Sequence, residues 1–315
     1  MRVLSIVTNR HATFYEKQTE SLEKRGIEIT HVYPPTQSSD HEERQEIERT
    51  KLEYARLYAK TLRKSTGEYD LIHANYGLTA PFALAQPKRP VVLSLWGSDL
   101  AGRLGTVSKH CAKYCDESIV MSDEMRQQLD MNTHVIPHGI DMEQFSPRNQ
   151  LHAQKDLEWD SDSKHVLFPY DPTRNVKNYA LAEQVVEQVQ EEFVKPVELQ
   201  VVYGVDHDDM PLYVNAADCL LLTSRREGFP NSVKEAMACN LPVVSTDVGG
   251  VRKWIEPVEN SFVGTSKEDL ADALTTVIRR GERSNGRAHA GNLSLDAMAT
   301  DIIEVYNKAL KSRTV

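Results

Sequence analysis

Glu227 and Glu235 bracket the stretch Gly228-Phe229-Pro230-Asn231-Ser232 within SRREGFPNSVKEAMACNLPVVSTDVGGV, residues 224–251. An apolar run over 218–224 reads as a strand ending just before it, and a helix begins near Asn231 or Ser232. Gly228 lets backbone amides approach a ligand closely. The first N–H groups of the helix, with its positive dipole end, suit a diphosphate. Two carboxylates at this spacing can face one pocket and accept hydrogen bonds from sugar hydroxyls. Ser232-x-x-Glu235 is also a capping box, in which Glu235 only ties off the helix start. Glu227 has no comparable structural role. Upstream, Arg174 and Lys177 stand at the start of another helix, where the dipole makes a cation mildly unfavourable. Two cations there fit an anionic ligand better than surface decoration.

The elements that must position these groups alternate along the whole chain. RVLSIV (2–7), IEITHV (27–32), DLIHA (70–74), PVVLSL (90–95) and ESIVMS (117–122) read as buried parallel strands. Between them lie helices over 15–25, stopped by Gly26, and over 42–65, closed by Gly67. IPHGIDMEQFSPRNQ (136–150) and the acidic 156–164 break the pattern, which restarts with HVLFPY (165–170), ELQVVYG (198–204), DCLLLTS (218–224) and LPVVSTD (241–247). Ala182, Val186, Val189 and Phe193 share one face of a helix over 177–193, and 266–281 and 295–311 also read as helices. The expected architecture is α/β, with two Rossmann-like domains of parallel sheet, residues 1–148 and 149–294, facing each other across a cleft. Ligands of such sheets bind outside the carboxyl ends of the strands.

Composition narrows the class. The 315 residues are 40% hydrophobic and 26% charged, with a formal net charge of -9, which argues against a nucleic-acid partner. Cys111, Cys115, Cys219 and Cys239 form no C-x-x-C pair, so a reducing compartment and a cytoplasmic location are expected. No apolar stretch approaches the ~18–20 residues of a membrane span. KLEYARLYAKTLRK (51–64) carries five Lys/Arg against one Glu, with Arg56, Lys60 and Arg63 opposite Tyr54, Leu57 and Leu62. It reads either as a solvated face or as a peripheral contact with anionic lipid. Asp206-His207-Asp208-Asp209 precedes Met210-Pro211 and reads as the capping first turn of a helix rather than a metal site.

The segment EGFPNSVKEAMACNLPVVSTDVGG resembles the E-x7-E region of glycosyltransferase family 4, with Glu227 and Glu235 as its two glutamates. DPTRNVKNYALA (171–182) resembles the family's basic segment; Lys177 matches its lysine, while Arg174 lies three residues before it rather than the usual five. VVYGVDHDDMPLYVNAADCLLLTS (201–224), IPHGIDMEQFSP (136–147), LWGSDL (95–100) and IHANYG (72–77) resemble further family segments, so the likeness spans most of the chain and is strongest over 165–264.

The resemblance implies the GT-B fold, with the helix 295–315 packing back on the N-terminal domain. It implies a retaining transferase that moves a hexose from a UDP- or GDP-linked donor to a hydroxyl of a glycan, lipid or small-molecule acceptor. No metal and no other cofactor is implied. Glu227 and the amides of Gly228, Phe229, Pro230, Asn231 and Ser232 would hold the hexose, and Glu235 the ribose. Lys177 and Arg174 would grip the diphosphate, and the backbone at Gly204 and Val205 the base. Gly97, Asp99, His73 and His138 would lie on the acceptor side. Three departures stand out: Trp96 replaces the usual histidine before Gly97, Asn75 stands where a second histidine often occurs, and Asn9-Arg10-His11-Ala12-Thr13 replaces a glycine-rich loop. A nucleotide-sugar 2-epimerase and a non-catalytic nucleotide-sugar-binding protein remain the alternatives.

Overall fold

The computed structural model describes residues 1–35, 50–88, 90–100 and 102–312. It divides into two compact units, Met1–Gly139 with Leu295–Val315, and Ile140–Ser294. Every strand pairing in both sheets is parallel.

The first unit carries β1 (Arg2–Val7), β2 (Glu28–Val32), β3 (Leu71–Asn75), β4 (Val91–Ser94), β5 (Glu117–Val120) and β6 (His134–Val135), in the order β2-β1-β3-β4-β5-β6. β3 and β4 are buried along their whole length, as expected of central strands covered on both faces. Helix Thr13–Glu23 buries Tyr15, Gln18, Thr19 and Leu22 and stops at Gly26, whose φ of +82° is open to glycine without strain. Helix Lys51–Ser65 is started by a reciprocal Thr50/Glu53 capping box. It buries Leu57, Thr61 and Ser65, leaves Leu62 half-buried, and exposes Arg56 and Arg63. The 42–49 part of the helix expected from sequence lies outside the described residues. The C-terminal helix, Leu295–Lys311, belongs to this unit: Tyr306 is buried and shares a 2.7 Å hydrogen bond with Nδ1 of His73, and Asp296 pairs with Arg25.

The second unit carries β7 (Lys164–Phe168), β8 (Val197–Val201), β9 (Cys219–Leu222), β10 (Val243–Thr246) and β11 (Phe262–Gly264), in the order β11-β10-β9-β7-β8. Val166, Phe168, Val185, Val189, Leu221 and Leu274 meet in its core. Helix Tyr179–Gln190 starts two residues later than its apolar pattern suggests, because Asn178 takes a left-handed turn at φ +54°. Phe193 lies beyond its end yet still packs on the core.

The division between units falls at Gly139/Ile140, ahead of the 148/149 break expected from sequence. The turn-rich 140–148 segment is pinned to the second unit by backbone bonds its sequence does not advertise. Ile140 N–H donates to the Leu293 carbonyl at 2.7 Å, and Arg287 donates to the Met142 and Phe145 carbonyls, both at 2.8 Å. Asn215 accepts from Arg148 N–H at 2.7 Å and donates to the Ser146 carbonyl at 3.1 Å. Phe145 itself is fully buried.

In each sheet the first strand of the unit lies between the second and the third. The connections therefore leave it in opposite directions, opening a crevice at the carboxyl ends of β1/β3 and of β7/β9. Among the described residues no helix is long and apolar enough to cross a membrane.

Candidate active site

Three loops converge at the carboxyl ends of β7, β9 and β10. The first carries Tyr170 and the turn Asn175–Lys177, the second Ser224 and Glu227, the third Gly249. Lys177 Nζ donates to Glu227 Oε1 at 2.6 Å, and Ser224 Oγ donates to the same oxygen at 2.6 Å. The Lys177 ammonium also lies 3.7 Å from the centre of the Tyr170 ring, whose hydroxyl is hydrogen-bonded to Ser232 Oγ.

The backbones of the loops are stitched together. Arg225 N–H donates to the Val176 carbonyl at 2.8 Å, and Thr223 Oγ1 to the Lys177 carbonyl at 3.0 Å. Thr246 Oγ1 donates to the Ser224 carbonyl at 2.7 Å. Gly249, at φ +58°, sits so close that a Cβ there would lie 2.9 Å from Glu227 Cβ and 3.0 Å from the Gly228 carbonyl oxygen. The position of Glu227 is thus set by three strands rather than by its own loop.

Lys177 is only 5% exposed. Burial pushes its ammonium below the usual lysine range, and the adjoining Glu227 carboxylate partly restores it. Burial, reinforced by Glu227, holds the Tyr170 phenol well above its ordinary value. Arg174 is exposed at the rim, close enough for its charge to act on both Tyr170 and Lys177, and makes no ion pair among the described residues. The pocket wall therefore combines a buried cation, a second cation at the rim and a carboxylate aimed at the first.

Helix Asn231–Ala238 begins beside this pair. Its N-cap is Pro230, and no side chain caps it. The capping box that Ser232 and Glu235 could form is therefore not made. Ser232 lies inside the helix and bonds Tyr170, while Glu235 Oε1 is 3.1 Å from His207 Nε2. No capping side chain accepts from the first N–H groups at this end. The Phe229 ring is buried, stacked on Trp254 at 5.7 Å, with the buried Lys234 ammonium 5.1 Å from its centre. Burial lowers Lys234 to about 7. Phe229 thus braces the loop from behind and offers only its backbone to a ligand.

Gly204 follows β8 at φ +71° with open space around it, and Val205 is half-buried. Asp209 occupies the N-cap position of helix Met210–Ala216 and makes no side-chain cap bond. Its neighbour His207 serves Glu235 instead. Among the described residues no three His, Cys, Asp or Glu side chains assemble a metal centre.

In the first unit the sequence-selected residues are scattered. His73 is 1% exposed, with Tyr306 on Nδ1 and Ser94 Oγ 2.8 Å from Nε2, and burial drives it down to about 3. Asp99 is fully buried and accepts from the N–H groups of Gly77, Trp96 and Gly97; burial raises it to about 6 against those bonds. Gly97 makes this turn at φ +113°. His73 and Asp99 therefore hold the fold, and neither carboxylate nor imidazole is presented to a ligand. His138 packs against Phe14 at 4.4 Å and Trp96 at 5.8 Å. Asn75 is buried in a chain that runs from Gln18 through Asn75 to Ser5 and Tyr15.

Sequence reasoning missed Tyr170, Ser224, Gly249 and His207. Each is a partner across strands; only Ser224, at the end of an apolar run next to the glutamate loop, carried a local signal.

The family model of glycosyl transferases group 1 matches residues 181–292. A D-inositol 3-phosphate glycosyltransferase of Geodermatophilus obscurus is 26% identical over 302 residues, covering 77% of this chain and 67% of that protein. The chain thus spans about two thirds of that relative's length. The structure of sucrose-phosphate synthase from Thermosynechococcus elongatus superposes with a TM-score of 0.78 at 18% identity, covering 99% of this chain and 100% of the other. Anabaena HepE, solved in complex with UDP and glucose, superposes with a TM-score of 0.70 at 18% identity over 98% of this chain and 99% of its own. The fold is that of the GT-B glycosyltransferases.

Proposed function

We propose that this chain, whose second unit carries a group 1 glycosyltransferase domain, moves a hexose from a nucleoside diphosphate donor to an acceptor hydroxyl with retention of configuration. The observation that carries the reading is the buried Lys177–Glu227 pair beside the uncapped start of helix Asn231–Ala238. A buried ammonium is costly unless an anion faces it, and here one carboxylate does so on the side where a diphosphate would enter.

The anomeric C–O bond to phosphate breaks, and the diphosphate leaves with the electron pair. Lys177, Arg174 and the helix N–H groups offset that charge, so no metal is required. Glu227 accepts hydrogen bonds from the hexose hydroxyls, and Glu235, oriented by His207, takes the ribose. The acceptor hydroxyl attacks from the face the phosphate leaves and gives its proton to the departing oxygen. The donor is UDP- or GDP-linked; HepE, a neighbour in fold, was solved with UDP, which makes uridine the first base to try. The acceptor is a hydroxyl of a glycan, a lipid-linked sugar or a small molecule.

Thermal unfolding of wild type and Lys177→Ala with UDP, GDP and ADP tests the reading. A nucleotide at 100 times its Kd adds about 2.7 kcal/mol, a shift of roughly 4 °C for a protein of this size. One nucleotide should stabilise wild type, and the variant should lose the shift. A flat melting temperature across all three would overturn the proposal.

A further inference from the structure

Tyr170 follows β7 closely and touches both the buried cation of the pocket and the start of helix Asn231–Ala238. The Lys177 ammonium lies 3.7 Å from the centre of its ring. Its hydroxyl shares a hydrogen bond with Oγ of Ser232, the second residue of the helix. From behind, the ring is backed by the core of the second unit and meets Phe168 edge-on at 5.4 Å.

A lysine head rides on a flexible four-carbon stem, and burial works against the charge of Lys177. The negative face of an aromatic ring offsets part of that cost and gives the ammonium a fixed seat. Glu227 Oε1 accepts from the same ammonium at 2.6 Å, but a carboxylate that also serves the hexose cannot be its lasting anchor. The ring has no second partner to serve and stays in place when a ligand enters. Arg174 is exposed at the rim, so Lys177 is the one of the two cations that the pocket wall itself holds.

A ring that only filled space would serve as well in phenylalanine. The hydroxyl instead reaches a helix start that no side chain caps, where the first turn frays most readily. Burial and Glu227 hold the phenol well above its ordinary value, so it stays neutral and keeps that bond at neutral pH.

We infer that Tyr170 is a positioning residue for the donor diphosphate: its ring seats the Lys177 ammonium and its hydroxyl fixes the first turn of helix Asn231–Ala238, so that cation and helix N–H groups meet one anion. This rests on the reading of the pocket as a nucleoside diphosphate site.

The test compares UDP, or GDP should the melting series select it, with the matching nucleoside, which lacks the groups that Lys177 and the helix start would meet. Calorimetry reads the diphosphate, and NMR titration reads the weaker nucleoside. Tyr170→Leu removes ring and hydroxyl, and should bind the diphosphate about tenfold more weakly while nucleoside affinity stays as in wild type. Tyr170→Phe keeps the ring and should recover most of that loss, remaining about threefold weaker for want of the hydroxyl. Should Tyr170→Leu not fold, Ser232→Ala reads the hydroxyl contact from its other end. It should match Tyr170→Phe, and the double variant should be no weaker than either single one. A folded Tyr170→Leu that binds the diphosphate as wild type does, or loses nucleoside affinity in equal proportion, overturns the positioning role. So does additivity of Tyr170→Phe and Ser232→Ala. A wild type that binds neither diphosphate sinks the donor reading itself, an outcome distinct from a wild type that binds and a Tyr170→Leu that binds equally well.

Discussion

Gly249→Ala should damage the second unit at a point far removed in sequence from either charged residue. Two costs separate at this position. An alanine held at φ +58° loses about 1 kcal/mol relative to glycine. The added methyl would also stand 2.9 Å from Glu227 Cβ, 3.0 Å from the Gly228 carbonyl oxygen and 3.2 Å from the Glu227 carbonyl carbon. Two of those three atoms are backbone, so the glutamate loop itself must move by roughly half an ångström to reach ordinary contact, adding about 1–2 kcal/mol of strain and lost hydrogen bonding.

Gly281→Ala supplies the control. Gly281 has φ +62°, and the nearest atom to its added Cβ is the Ile278 carbonyl oxygen at 4.0 Å, so it isolates the conformational cost. Urea unfolding should show Gly281→Ala down by about 1 kcal/mol and Gly249→Ala by about 2–3 kcal/mol. Because Glu227 moves with the loop, affinity for the nucleotide sugar measured by calorimetry should fall about tenfold in Gly249→Ala and not at all in Gly281→Ala. If the two variants prove equally stable and bind the nucleotide sugar equally, Gly249 does not set the position of Glu227, and the three-strand account of the pocket is wrong.

Two further expectations concern stability. His73 is held near 3 in the folded chain and returns to about 6.5 on unfolding, so between these values the unfolded state binds a proton that the native state does not. Stability therefore falls as pH is lowered through 6.5, by about 2 kcal/mol at pH 5. Urea unfolding of His73→Gln at pH 7 and pH 5 should lack that loss, and since Asp99 is common to both proteins its opposite trend cancels in the difference. A wild type and variant with the same pH dependence would show that His73 is not the group responsible. Arg287 donates to three backbone carbonyls, of Met142, Phe145 and Ala238. Lys cannot span them, so Arg287→Lys should cost about 3 kcal/mol in urea unfolding and render the chain near residue 140 sensitive to brief proteolysis. An unaltered midpoint and cleavage pattern would remove Arg287 from the account of the boundary.

Much of the fold was legible because its strands are continuous apolar runs of β-branched residues, whose burial on both faces leaves little choice of partner. β6 and β11 escaped notice, being two and three residues long, too short for any periodicity. The start of helix Tyr179–Gln190 lies two residues later than the apolar pattern suggests because the left-handed turn of Asn178 depends on the loop around it, not on the pattern that follows. The domain break was placed by composition, whereas the chain from 140 to 148 is fixed by Arg287 and Asn215, distant residues whose bonds no local rule anticipates.

The same division runs through the candidate site. Glu227, Glu235 and Lys177 stand out in the sequence because ionisable groups beside a glycine turn and a helix start are residue types with few structural reasons to be there. Their chemistry is local, so their type and spacing declare it. What the residues meet is not local. Only the parallel pairing of β9 with β7 and β10 brings Ser224, Tyr170 and Gly249 to Glu227, and only the packed loop after β8 turns His207 toward Glu235. The ambiguity of Ser232-x-x-Glu235 shows why: a capping box and a ligand pocket share one sequence pattern, and the outcome depends on whether a tyrosine and a histidine from other strands compete for the same side chains. His73, in the middle of β3, and Asp99, in the turn after β4, give the converse case, polar residues whose sequence suggests a site and whose burial assigns them to the fold. Sequence determines which groups are available for chemistry; burial and partners across strands, which depend on the whole chain, decide which of them face a ligand.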